Sequence, residues 1–352
     1  MINIAVLGYG TVGSGVVELI DKNNGILKNK AGDDINVKYI LDVRDFPGDK
    51  YESKFVKDFD IILNDPDITV MAETIGGVTF AYDYTKKALL AGKCVVTSNK
   101  ELVAQKAPEL LNLAKENSAK YLFEASVGGG IPIIRPLIHC LSANEKHKIV
   151  GILNGTTNYI LTKMVKDNIS FETALKEAQD LGYAEKNPAA DVEGHDTCRK
   201  ICILASLAYG RHVYPDNVYT KGIQDLTLND IKNADEKGYA IKLLGSAEQK
   251  ENGDVEIFVS PCAISKDHPL ANIEDVFNGI LINGDATGDV TFYGKGAGKF
   301  PTASAVCADI VDCVHKTSAP EIIWEDSDDS FVISFDKLKF EYLEGTNIPL
   351  IV

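Results

Sequence analysis

The sequence predicts an α/β fold, with a doubly wound parallel sheet in the first part of the chain and a second, α+β domain after it. Short apolar strands alternate with helical stretches before residue 128, which is the pattern of a parallel sheet. The alternation ends at the glycine run 128–130. Helical stretches then mix with segments of alternating polarity such as 255–259, which indicates a domain of a different class.

Apolar periodicity predicts the individual elements. Two features stand outside the alternating region: the helical spacing of 302–314, and the alternation of 331–342, which predicts a strand or hairpin. In the first region, strands are expected at 1–7, 36–41, 68–73, 94–97 and 121–124, and helices after residue 13, at about 81–91 and from Pro108 to Glu116.

A glycine-rich turn follows the first strand directly. Gly8, Gly10 and Gly13 have the spacing GxGxxG, with Thr11 and Val12 between the last two. The first glycine permits a tight turn, the second lets a pyrophosphate approach, and the third lets helix and strand pack closely. The turn therefore predicts a Rossmann-type dinucleotide site; the alternative is a glycine turn without a ligand.

The end of the second strand carries two residues that point to different cofactors. Asp42 could accept a hydrogen bond from a ribose 2′-hydroxyl, which favours NAD, whereas Arg44 could pair with a 2′-phosphate, which favours NADP. The cofactor is predicted to be NADP or NAD, with NADP preferred. The predicted domains are 1–130 for the dinucleotide, 131–305 for substrate binding, catalysis and dimerisation, and a C-terminal segment 306–352 that packs back on the first domain.

Composition excludes several classes of function. The net charge is −15, and no basic patch offsets it, so nucleic acid and anionic membranes are not expected partners. The N-terminus enters a strand with no basic leader, so we expect a cytoplasmic protein. The seven cysteines are odd in number and irregularly spaced, which indicates reduced thiols rather than a disulfide framework.

Two lysines are candidates for chemistry. Lys100 follows the strand 94–97 at its carboxyl end, where open α/β sheets bind ligands. Asp196 and Lys200 are four residues apart beside apolar residues, so a helix would hold the lysine near a carboxylate, where it could exchange a proton with an alcohol. The alternatives are a solvated lysine and an ordinary surface ion pair. His195 is interpreted as a bystander on another face.

Seven segments of the sequence, taken together and in their order along the chain, resemble the homoserine dehydrogenase family. The matching stretches are GYGTVG at 8–13, ETIGG at 73–77, GKCVVTSNKELVA at 92–104, FEASVGGGIPII at 123–134, GILNGTTNYIL at 151–161, EAQDLGYAEKNPAADVEGHDTCRK at 177–200 and YGKGAGKFPTASAV at 293–306. The resemblance implies NAD(P)-dependent interconversion of L-homoserine and L-aspartate 4-semialdehyde, a step in threonine, methionine and isoleucine biosynthesis, by a homodimer.

The resemblance also implies a role for each matching residue. Lys200 would donate or accept the proton, Asp196 would orient it, and Lys100 would sit near nicotinamide and substrate. The substrate would be surrounded by Thr156, Gly182, Tyr183, Glu185 and Asp191. The cofactor would be lined by Gly8, Thr11, Val12, Thr74, Lys100 and Gly298. A sodium-binding loop would comprise Glu124 and the carbonyls of Val127, Gly129 and Ile131.

The chain departs from the family pattern in two places. Asn187 stands where an acidic residue is usual, which would soften the field at the mouth of the pocket. Only 46 residues follow the last motif, too few for the C-terminal domain that senses threonine in longer members. The competing hypotheses are another Rossmann dehydrogenase, a non-catalytic NAD(P) sensor and, less favoured, an aldehyde dehydrogenase with a cysteine nucleophile.

Overall fold

The computed structural model describes residues 1–315, 322 and 324–351, and its internal contacts divide the chain into two compact units. The first unit comprises Met1–His139 and Ala297–Asp326, and the second comprises Cys140–Gly296 and Ser327–Val352. The first unit thus extends to residue 139, compared with the predicted boundary at 130, and residues 306–352, predicted to pack back on the first domain, are divided between the two units.

The first unit is built on a six-stranded sheet in the order β3-β2-β1-β4-β5-β6, and every pair of neighbours is parallel. This is the strand order of a doubly wound dinucleotide-binding sheet, whose ligand site lies at the carboxyl ends of the strands where the order reverses. The predicted fold class is confirmed. The strands are β1 (Ile2–Leu7), β2 (Ile35–Leu41), β3 (Phe55–Val56), β4 (Ile68–Glu73), β5 (Cys94–Thr97) and β6 (Tyr121–Leu122).

Helices flank this sheet and bury apolar side chains against it. The helix α11 belongs to this unit, where it packs on α1 and contributes Ala303, Val306 and Ile310 to the same apolar cluster. The helices are α1 (Thr11–Lys22), α2 (Asn24–Ala31), α3 (Phe59–Leu63), α4 (Thr79–Leu90), α5 (Lys100–Glu116) and α11 (Lys299–Val314).

Two boundaries predicted for the first unit are wrong. Helix α5 begins at Lys100 and not at Pro108, because Asn99 caps it and the proline lies inside the helix. Proline is preferred in the first turn of a helix, which explains the error. The strand expected at 121–124 ends at Leu122, because a 3₁₀ turn, Glu124–Ser126, follows closely.

The second unit contains a seven-stranded mixed sheet in the order β12-β11-β7-β9-β10-β13, with β8 also paired to β10. Its strands are β7 (Lys146–Ile152), β8 (Tyr219–Thr220), β9 (Tyr239–Gln249), β10 (Val255–Ser265), β11 (Phe277–Gly284), β12 (Gly288–Lys295) and β13 (Leu350–Ile351). Its helices are α6 (Gly155–Lys166), α7 (Phe171–Asp180), α8 (Ala189–Val192), α9 (His195–Tyr209) and α10 (Leu228–Glu236).

The tail does not form the strand or hairpin predicted for 331–342. It makes isolated bridges at Val332 and Tyr342 and one 3₁₀ turn, Phe335–Lys337. Its apolar alternation has another cause, because Phe335, Leu338 and Phe340 pack on the core of the second unit. Within the described residues, no helix combines the length and apolar character needed to cross a bilayer.

Candidate active site

The glycine turn lies between β1 and α1, as its spacing predicts. Gly8 has a φ of +96°, and a Cβ on Gly13 would lie 1.9 Å from the Gly8 carbonyl oxygen, so neither position suits a larger residue. A Cβ on Gly10 would meet no heavy atom within 4 Å. Gly10 precedes the first helical residue, Thr11, and no side chain caps the helix. The first N–H groups of α1 therefore have no side-chain acceptor at the cap and suit a phosphate.

Thr74 joins the turn after β4 to this glycine turn. Its backbone N–H donates to the Leu7 carbonyl at 2.8 Å. Its hydroxyl donates to the carbonyls of Leu7 and Gly8, with the Gly8 contact at 2.9 Å. Thr74 therefore shapes the predicted cofactor site by holding the glycine turn.

Asp42 and Arg44 form an ion pair with each other, so they are not two separate candidates for binding the cofactor ribose. The Asp42 carboxylate accepts hydrogen bonds from Tyr9 N at 2.8 Å and Arg44 N at 3.0 Å. It also binds the Arg44 guanidinium through Nε at 3.0 Å and Nη2 at 2.8 Å, and this pairing lowers the pKa of Asp42 to about 2. The carboxylate is buried, whereas the Arg44 side chain is 58% exposed. The group presented to solvent is thus the cation.

Lys100 begins helix α5, one residue after the cap. The Asn99 side chain accepts from Leu102 N at 3.1 Å and donates to the Gly77 carbonyl at 2.6 Å. These bonds fix the start of the helix and therefore the backbone of Lys100. Gly298, which lies in the last of the matching sequence segments, has a φ of +122° and directly precedes α11.

In the second unit, Lys200 and Asp196 form a buried pair on α9. Lys200 Nζ lies 2.7 Å from Asp196 Oδ2 and donates to the Leu153 carbonyl at 2.7 Å. The two side chains are 10% and 7% exposed, so the interpretation as a surface ion pair is wrong. A lysine has three N–H donors, and these two bonds leave one for a substrate oxygen.

Asn154 was missed by sequence reasoning, and it joins the acidic residues. Its amide nitrogen donates to Asp191 Oδ1 at 2.7 Å and to Asp196 Oδ2 at 2.9 Å. Its Oδ1 caps α6 by accepting from Thr157 N at 2.8 Å. The detectable signal was an asparagine directly before an apolar helical run, which is typical of an N-cap.

The other predicted substrate residues lie on α6 and on the loop after α7. The Thr156 hydroxyl donates to the Tyr183 carbonyl at 2.8 Å, which ties the loop to the start of α6. Gly182, Tyr183 and Glu185 are exposed on this loop. The structure thus joins Asp191, Asp196 and Lys200 through Asn154, and it joins Thr156 to Tyr183. His195 is exposed and contacts Glu193 at 3.2 Å.

The Glu124 side chain is committed to the backbone that follows it. Its Oε1 accepts from Ile133 N at 2.7 Å and Ile134 N at 2.9 Å, and its Oε2 accepts from Arg135 N at 2.8 Å. Of the described residues, no three His, Cys, Asp or Glu side chains cluster as metal ligands. Any cation held by this loop would therefore have to use backbone carbonyl oxygens, such as those of Val127, Gly129 and Ile131.

The arrangement in the first unit suits a dinucleotide, and that in the second suits acid–base chemistry on an alcohol or carbonyl. Together they define the class of protein as an NAD(P)-dependent oxidoreductase.

Comparison with known proteins identifies the family. The family described as "Homoserine dehydrogenase" matches residues 132–311, and "Homoserine dehydrogenase, NAD binding domain" matches residues 8–124. The homoserine dehydrogenase of Bacillus subtilis is 44% identical over 316 residues, covering 88% of this chain and 72% of that protein. The Synechocystis enzyme is 42% identical, covering 89% and 73%. The chain belongs to the homoserine dehydrogenase family.

Solved structures agree with this assignment. A homoserine dehydrogenase from Thiobacillus denitrificans has a TM-score of 0.90 at 36% identity, covering 96% of this chain and 81% of that one. A hyperthermophilic archaeal homoserine dehydrogenase in complex with NADPH has a TM-score of 0.77 at 30% identity, covering 91% and 99%. The hypotheses that the chain is a non-catalytic NAD(P) sensor or another kind of dehydrogenase are therefore rejected.

Proposed function

We propose that the chain interconverts L-homoserine and L-aspartate 4-semialdehyde, with Lys200 as the acid–base group. The observation that carries this proposal is the buried Lys200–Asp196 pair, because a lysine with one uncommitted N–H beside a fixed carboxylate can transfer a proton to or from a substrate oxygen. When bound, the reduced nicotinamide supplies the hydride to the aldehyde carbon. Lys200 then gives its proton to the developing alkoxide, and takes it back in the oxidation direction.

The surrounding residues orient the substrate and stabilise charge. Asp191 and Glu185 would bind the substrate ammonium, with Thr156, Gly182 and Tyr183 completing the substrate site. Asn154 fixes Asp191 and Asp196 relative to each other, which pre-organises the site before substrate arrives. Lys100 would stabilise the negative charge that develops on the substrate oxygen.

The reaction is tested with purified protein, L-homoserine and either NADP⁺ or NAD⁺, by following the absorbance of the reduced cofactor. We expect turnover that depends on L-homoserine and reverses with L-aspartate 4-semialdehyde. Folded protein that reduces neither cofactor would contradict the proposal.

NADP is the proposed cofactor. The Asp42 carboxylate already accepts four hydrogen bonds, so little capacity is left for a ribose 2′-hydroxyl. The exposed Arg44 guanidinium is held by that same carboxylate, and a planar cation held in this way suits a phosphate. Gly8, Gly10, Thr11, Val12, Gly13, Thr74 and Gly298 are the other proposed cofactor-binding residues.

Three further proposals rest on family resemblance. A sodium ion would be held by the loop at 124–131 through the carbonyls of Glu124, Val127, Gly129 and Ile131, since the Glu124 carboxylate serves the backbone. Replacing sodium by a larger monovalent cation at constant ionic strength should lower Tm, and an unchanged Tm would contradict a structural sodium.

The protein would be a cytoplasmic homodimer, and light scattering should give twice the chain mass.

A further inference from the structure

A buried carboxylate at the end of β4 has no part in the chemistry described so far. Glu73 is fully buried, and burial of a carboxylate is expensive unless hydrogen bonds compensate it. Burial raises the pKa of Glu73, whereas hydrogen bonds from Thr97, Ile75, Gly76 and Asn99 oppose that rise. Because burying the Glu73 carboxylate costs free energy, its presence inside the cofactor domain indicates a functional role.

The two carboxylate oxygens of Glu73 serve two different turns. Oε1 accepts from Ile75 N at 2.7 Å, in the turn after β4. Oε2 accepts from the Thr97 hydroxyl at 2.6 Å, at the end of β5. The Thr97 oxygen in turn accepts from Asn99 N at 2.9 Å. One side chain thus fixes the turn at 74–77 relative to the turn at 97–99.

Each of these turns leads to a residue proposed to act on cofactor or substrate. Thr74, next to Glu73, holds the glycine turn through the carbonyls of Leu7 and Gly8. Asn99 donates to the Gly77 carbonyl, which forms a second link between the turns, and it caps the helix that Lys100 begins. The chain of contacts therefore runs from the glycine turn through Glu73 to the first residue of α5.

We propose that Glu73 is a positioning residue that sets the cofactor-binding turns and Lys100 in one fixed arrangement. It touches neither cofactor nor substrate in this role. The inference rests on the proposed roles of Thr74 and Lys100, and it adds a residue that those roles depend on.

Two substitutions interrupt the link at either end. Glu73→Gln keeps the shape of the side chain but turns one acceptor oxygen into a donor, which then faces either the Ile75 N–H or the Thr97 hydroxyl. Thr97→Val removes only the hydroxyl, and Thr97→Ser restores it. With its one carbonyl oxygen on Ile75 N, the Glu73→Gln amide no longer accepts from the Thr97 hydroxyl, and Thr97→Val has no hydroxyl to donate. Both changes therefore remove the hydrogen bond donated by Thr97 to residue 73, so the double variant should bind NADPH about as weakly as the more strongly affected single variant.

The expected result is a split between cofactor and substrate parameters. For Glu73→Gln and Thr97→Val we expect the Kd for NADPH to rise about tenfold and kcat to fall at least tenfold, with the KM for L-homoserine within twofold of wild type. Thr97→Ser should behave as wild type. A merely structural role would lower Tm and the active fraction while leaving NADPH affinity of the folded protein unchanged.

Direct NADPH binding, measured by nucleotide fluorescence, separates this inference from the proposed reaction. If wild-type protein binds NADPH but does not oxidise L-homoserine, the reaction fails while the affinity series still tests Glu73. The inference is overturned if both variants bind NADPH within twofold of wild type, or if their effects simply add. Should Glu73→Gln fail to fold, the comparison of Thr97→Val with Thr97→Ser decides in the same way.

Discussion

At the residue scale, Asp196 gives Lys200 its chemical character. The carboxylate binds both Lys200 Nζ and the Asn154 amide through one oxygen, Oδ2. It therefore fixes the direction of the ammonium as well as balancing its charge. In a buried site water takes over neither task, so Lys200 depends on Asp196 for its charged partner, while the Leu153 carbonyl is its neutral one.

We predict that Asp196→Asn lowers kcat by about 100-fold, within the range expected for loss of general acid–base catalysis, and leaves the KM for NADP⁺ within twofold. The amide keeps the size of the side chain but removes the charge that holds Lys200. Steady-state kinetics with L-homoserine measure this, with Asp83→Asn as control. Asp83 forms the same i,i+4 pair with Lys87, but there the side chains are about half exposed, so its kcat should not change.

Arg44 is the residue on which cofactor choice depends. Loss of a charged hydrogen bond to phosphate costs about 1.5–3 kcal/mol, so Arg44→Ala should raise the KM for NADP⁺ by roughly 10- to 100-fold. The KM for NAD⁺ should stay within about threefold. Lys57→Ala is the control, because Lys57 is equally exposed and pairs with Asp45. An equal rise in both KM values would show that Arg44 acts on the fold and not on a 2′-phosphate.

At the element scale, the turn between β1 and α1 separates two functions of glycine. Gly13 is needed for packing, because a methyl group there would strike the Gly8 carbonyl. Gly10 has φ −85°, which any residue can adopt, and open space around it. A glycine at position 10 is therefore required for ligand binding and not for folding.

We predict that Gly10→Ala folds with a Tm within about 2 °C of wild type yet binds NADPH at least tenfold more weakly, because its methyl lies where the pyrophosphate approaches. Gly13→Ala should instead lower the Tm by several degrees. Thermal unfolding and nucleotide titration of the two variants test this pair. If Gly10→Ala bound NADPH normally, the phosphate would have to lie elsewhere.

Elements with strong periodicity could be predicted, and those shaped by single contacts could not. The strands of the parallel sheet and the pair Asp196–Lys200 follow from spacing, because both depend on which residues share a face. The early start of α5 depends on the Asn99 cap, and the position of Asn154 depends on Asp191, 37 residues away in sequence. Both asparagines carry the local signature of an N-cap, but the contact between Asn154 and Asp191 has no signature in a local window. The role proposed for Glu73 could not be predicted for the same reason.

At the scale of the whole molecule, the tail completes the second unit. Phe335 stacks on Tyr219 with ring centroids 3.4 Å apart, and Phe340 meets Phe258 edge to face at 4.9 Å. The sequence alternation of this segment predicts a strand or hairpin, since both a strand and an irregular segment that lies on a core place alternate side chains on that core. Only the backbone pairing distinguishes them.

We predict that Phe335→Ala lowers the free energy of unfolding by about 1–3 kcal/mol, as expected for a partly buried aromatic residue. Lys337→Ala, on the exposed side of the same turn, should leave it unchanged. Urea unfolding of the full chain measures both. An unaffected Phe335→Ala variant would mean that the tail covers the core without stabilising it.

The account as a whole depends on Lys200 as the group that exchanges the proton. Its most direct test is the kcat for L-homoserine oxidation by Lys200→Ala, measured together with the Kd for NADPH and with Lys87→Ala as control. The account predicts that Lys200→Ala loses roughly 10²- to 10⁴-fold in kcat, with NADPH affinity within about twofold and the control unchanged. A Lys200→Ala enzyme that turned over within about threefold of wild type would contradict the account.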